Sequence, residues 1–93
     1  MNFQVVWTPD AEEQLADVWL DASDRNSLTE AAHRIELALR ENPVDIGDEL
    51  FGTVRTVAYG PLGVDFEVIV DDVRVIVLAA WDTALGRPSP TGN

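Results

Sequence analysis

Three residues have the types and spacing to do chemistry together: Arg55, Glu67 and Arg74. A carboxylate flanked by guanidinium groups can hold an anion and move a proton, provided all three meet on one face. The same residues can instead be spent locally. Arg55 can close cross-strand ion pairs with Asp65 or Glu67, and Arg74 can steady the adjacent Asp71-Asp72 turn. Trp81 has two readings as well, as packing at the sheet or as a platform for a target or partner. The lone His33 falls on the outward side of a helix with no second His or Cys to join it, and Cys is absent. A helical stripe of carboxylates offers no enclosed oxygen cage, so neither a metal site nor a cofactor is expected.

These residues depend on a sheet to bring them together. Phe3 to Trp7 reads as a short strand, halted at Thr8-Pro9. Thr8 can cap a helix with Pro9 at its first position, and the acids that follow suit the positive end of the helix dipole. Ala11, Leu15, Val18, Trp19 and Ala22 then form one apolar stripe. Asp10, Glu13, Asp17, Asp21 and Asp24 form a carboxylate stripe, a solvated face or a dock for a basic segment. After a turn at Asp24-Arg25-Asn26, Ser27-x-x-Glu30 has the spacing of a capping box. The helix it opens runs to Asn42-Pro43, with Leu28, Ala31, Ala32, Ile35 and Leu39 inward and Glu30/Arg34 and Glu36/Arg40 paired. Residues 43–52 read as a solvated loop with Leu50 and Phe51 dipping inward.

Three strands follow: Thr53 to Tyr59, Val64 to Val70 and Val73 to Trp81, the last apolar on both faces and so central. The expectation is an α+β domain over residues 1–85, with a helical hairpin on one face of a mainly antiparallel four-stranded sheet, in the order β-α-α-β-β-β. Residues 86–93 read as a flexible Pro-rich tail. The uncovered outer face would present Asp65, Glu67 and Ile69, with Arg55 and Arg74 the cations best placed to join them.

Charge narrows the partners. Seventeen acids oppose six bases, all Arg, for a net charge of -11 over 93 residues. Such a chain repels nucleic acid and anionic membranes over most of its surface, which argues against strong non-specific nucleic-acid binding and for a basic partner. No signal peptide or membrane span is evident, and the expected location is cytoplasmic.

Five ordered segments carry a resemblance: Trp7-Thr8-Pro9-x-Ala11-x-x-x-Leu15-x-x-Val18-Trp19; Ala31, Ile35, Leu39, Pro43 and Gly47 at intervals of four; Gly52-x-x-Arg55; Pro61-Leu62-x-Val64-x-Phe66-x-Val68; and Val73-Arg74-Val75-x-Val77. Over residues 3 to 81 the chain resembles the RelE/ParE superfamily, the toxins of bacterial type II toxin-antitoxin systems. The resemblance implies neutralisation by a cognate antitoxin with a basic segment, and a target on the ribosome and its mRNA or on gyrase. If the chain is an enzyme, the resemblance implies a metal-independent, ribosome-dependent mRNA endonuclease. Arg55 matches the second-strand Arg that would hold a phosphate, with Glu67 as base and Arg74 as a further cation. Trp81, Asp82 and Arg87 would contact the target or partner. The chain departs from the pattern after Trp81: Asp82 stands where many members have a His, Arg87 lies two residues beyond the usual Arg, and Lys is missing throughout. An inactive member serving as an interaction scaffold is the alternative.

Overall fold

The change of period at Thr8 marks the first boundary. In the computed structural model, which describes residues 2–87, strand β1 (Gln4–Trp7) gives way to helix α1 (Pro9–Asp21). Thr8 Oγ1 accepts from the Ala11 N–H at 3.1 Å and Pro9 fills the first turn, so two of the helix's orphan N–H positions are settled by adjacent residues. Helix α2 (Arg25–Glu41) starts about a turn earlier than the Ser27-x-x-Glu30 spacing suggests. Asp24 is its cap: one carboxylate oxygen accepts from the Ser27 N–H and the other from the Ser27 hydroxyl. A carboxylate three residues upstream is the better acceptor for those donors, and Ser27 becomes its ligand. These bonds hold the Asp24 carboxyl below the usual aspartate value.

The sheet has five strands, not four. The order is β1-β5-β4-β3-β2, with β2 (Asp48–Phe51), β3 (Val54–Tyr59), β4 (Leu62–Ile69) and β5 (Arg74–Asp82). β1 runs parallel to β5 and every other pair is antiparallel. The extra strand comes from the expected 43–52 loop, and Leu50 and Phe51 face outward rather than inward, Phe51 being 66% exposed. The Gly47 position explains how the chain enters that edge. It has φ +67°, and a Cβ there would collide with the Thr56 carbonyl.

One contiguous core lies between the helices and the inner sheet face. Leu62, Val64 and Phe66 of β4 and Val75 and Val77 of β5 are fully buried against Leu28, Ile35 and Leu39 of α2 and Ala11 of α1. Burying the Leu, Ile, Val and Phe side chains among these contributes roughly 1.5–3 kcal/mol each. Instead of the tight Asp71-Asp72 hairpin, a 3-10 turn over Val70–Asp72 joins β4 to β5, ending at Val73 with φ 51°. A left-handed conformation is unfavourable for a β-branched residue, and Val73 is held there by its N–H bond to the Val70 carbonyl and by its carbonyl's bond from Gln4.

The register shift opposite Asp65/Phe66 then decides what the end of β5 can do. Val77 faces Phe66 on the helix side while Ala79 faces Asp65 on the outer side, so Leu78 is the extra residue. Beyond it Ala80 points inward and Trp81 outward. Of the expected 86–93 tail, residues 88–93 lie outside the described residues. Gly86 and Arg87 are placed, and Gly86 donates to the Asp82 carbonyl.

Candidate functional site

The β3–β4 register separates the three candidate residues, and Arg55 does not join the outer face as expected. Arg55 pairs with Phe66 and therefore lies on the helix side of the sheet, whereas Glu67 pairs with Ile76 and Arg74 with Ile69 on the outer side. On the helix side Arg55 is half-buried. Arg55 donates from Nε to the Ile46 carbonyl (3.0 Å) and from Nη2 to the Gly47 carbonyl (3.1 Å), fastening the loop ahead of β2. The ion pair expected with Asp65 or Glu67 is not formed among the described residues. Glu67 accepts a 2.8 Å bond from the Thr53 hydroxyl instead. Arg74 is exposed, one strand pairing away from Glu67.

A different cluster forms on the outer face. Asp65, only 7% exposed, receives two bonds from Arg87, Nε to Oδ2 at 2.9 Å and Nη2 to Oδ1 at 2.8 Å. Nη2 also donates to Thr56 Oγ1 at 3.1 Å, and the guanidinium lies 4.7 Å from the Trp81 ring centroid. The Asp65 bonds push the Arg87 guanidinium above its already high ordinary value. Trp81 is buried and its indole lies on Gly63, where a Cβ would stand 2.5 Å from the ring. Asp82, expected to reach a target, accepts from the Ala84 N–H and shapes the turn that returns Arg87 to the sheet. Thr56 and Gly63 carry no sequence signal of a site. Asp65 does carry one, as an acid between the apolar Val64 and Phe66 of β4.

The other arginines are committed too. Arg25 donates to the Trp19 and Leu20 carbonyls and sits over the Trp19 ring, closing the C-terminal end of α1. Arg34 and Arg40 pair with Glu30 and Glu36, and Arg34 also lies over Tyr59. Among the described residues, Arg74 is the one arginine without such a partner.

The two helices and Trp7 of β1 border an apolar groove of about 710 Å³. Trp7, Leu15, Trp19 and Leu37 line it, with Glu12, His33, Glu36 and Arg40 among its polar residues.

No family model matches the sequence, and no curated protein gives a significant match. The fold does have solved counterparts. The RelBE2 toxin-antitoxin complex from Mycobacterium tuberculosis superposes with TM-score 0.67 at 17% identity, covering 88% of this chain and 92% of that one. The fold is that of the RelE/ParE toxins. A free mutant of the E. coli toxin RelE matches with TM-score 0.64 at 14% identity, over 92% of this chain and 88% of that one. A chain of the chromosomal ParDE system from P. aeruginosa gives 0.61 at 14%, over 86% and 95%. The RelE/ParE scaffold thus spans both helices and the sheet. No helix among the described residues is long and apolar enough to cross a membrane.

Proposed function

We propose that this chain is the toxin component of a type II toxin-antitoxin system, acting in the cytoplasm by gripping a protein target rather than by cutting RNA. One observation supports the mode of action: five of the six arginines are already bonded within the chain. RNA cleavage by 2'-hydroxyl attack needs a base, an acid and cations around the phosphorane. Binding RNA needs free cations to neutralise phosphates. Glu67 and Arg74 share a face, but Arg55 is on the other side and Arg87 is held by Asp65. A protein target such as gyrase fits this surface better than mRNA.

The antitoxin reading rests on the fold and on the groove between α1 and α2. An apolar trough with Glu12 at its side, and Glu36 paired there to Arg40, on a chain of net charge -11, suits an amphipathic segment with basic flanks. Induced expression in a bacterial host tests the proposal. The expected outcome is growth arrest with a DNA-damage response while protein synthesis continues, relieved by co-expressing the product of the adjoining short reading frame. Arrest of translation would favour a ribosomal target. A soluble, intact product without any growth effect would overturn the toxin reading and leave the interaction scaffold.

A further inference from the structure

We infer that the outer sheet face carries a guanidinium-binding pocket, filled in this structure by the chain's own Arg87 and able to take an arginine side chain of a protein partner in its place. The pocket is defined by its occupant and stands whether or not the chain is a toxin. Both carboxylate oxygens of Asp65 accept from the guanidinium fork, the Thr56 hydroxyl accepts a third bond, and Trp81 offers its ring face at 4.7 Å. Gly63 makes room for that ring, which lies where a side chain would otherwise stand. Two parallel N–H donors and a flat cation are what this geometry selects. An ammonium supplies neither.

Exchange is physically accessible because Arg87 lies on a short return. Thr83 to Gly86 separate it from the end of β5, and its side chain remains 40% exposed while that of Asp65 is 10% exposed. Displacing Arg87 therefore moves one side chain and a turn, leaving every strand pair intact. A carboxylate buried to this degree is costly when unpaired, so the vacated pocket favours a replacement cation. Beside it opens a cavity of about 410 Å³ lined by Asp17, Asp21, Asp82 and Leu85, with Trp81 and Arg87 at its wall. Three further carboxylates there favour positive charge next to the incoming arginine and disfavour a phosphate. The ligand class is thus an arginine within a basic protein segment.

Chemical rescue tests this directly. Arg87→Ala should lower the melting temperature by roughly 5–15 °C. Millimolar arginine amide should restore roughly 3–8 °C of it and shift the Trp fluorescence. Lysine amide at the same concentration should do neither, and Asp65→Asn/Arg87→Ala and the wild-type chain should be unresponsive to both. If Arg87→Ala is unfolded at rest, arginine amide must restore its fold. Equal rescue by lysine amide, an equal response of the double variant or of the wild type, or no rescue at all overturns the pocket.

Discussion

The two faces of strand β4 are closed in different ways. Its inner residues Leu62, Val64, Phe66 and Val68 meet two helices that precede the strand in the chain, and their burial is purely apolar. Its outer residues Gly63 and Asp65 are just as inaccessible, yet no helix lies over them. They are closed by Trp81 and Arg87, a ring and an ion pair supplied by the end of β5 and the turn after it. The apolar face tolerates any side chain of suitable size and hydrophobicity. The polar face depends on one donor fork reaching one carboxylate, so losing either partner strands the other.

The largest effect should come from the inner face. Phe66→Ala removes a fully buried ring at the centre of the sheet and should cost about 3–5 kcal/mol in urea unfolding. If it cost no more than a surface change, the two-face contrast would collapse. On the outer face, Gly63→Ala drives a methyl into the Trp81 indole and should cost about 1–3 kcal/mol, with a red shift of Trp emission as the ring is levered outward. Unchanged emission would mean that Trp81 does not depend on Gly63. Next comes Arg55→Ala, which frees the Ile46 and Gly47 carbonyls and should cost about 1 kcal/mol, with faster amide exchange in residues 45–51. A loss of target binding with no change in stability or exchange would place Arg55 back in a site.

The smallest effect is a pH dependence. The Asp24 carboxyl, held below the ordinary aspartate value of 3.8 by Ser27, contributes stability that is fully present above that value. It is lost as pH falls through the lower folded value. Asp24→Asn should flatten this acid-side loss while keeping a cap for α2, readable by helical circular dichroism between pH 5 and 2.

This contrast also explains what was legible from sequence. The two helices, most of their apolar stripes, the i,i+4 pairs and the alternation of β4 are encoded by neighbours within a few residues and appear as expected, except that Trp19 of the α1 stripe is 40% exposed instead of joining the core. The β2 strand was missed because Asp48, Glu49 and the flanking glycines read as loop. An edge strand needs no buried face of its own, only the partner that Gly47 lets it approach. Arg55 was misplaced by one residue of register, a parity that its charge suggested wrongly and its pairing with Phe66 decides. The Arg87–Asp65 clasp spans 22 residues and depends on the extra residue Leu78 turning Trp81 outward. No local pattern encodes that.

That five of the six arginines serve the fold and leave too few groups for RNA cleavage is the proposal at stake. It meets its most direct test when purified protein is incubated with ribosomes positioned on a defined mRNA and the new 5' ends are mapped by primer extension. No cleavage above the protein-free control is expected. Cleavage at a fixed position on the ribosome-bound mRNA, abolished by Glu67→Gln, would overturn the proposal.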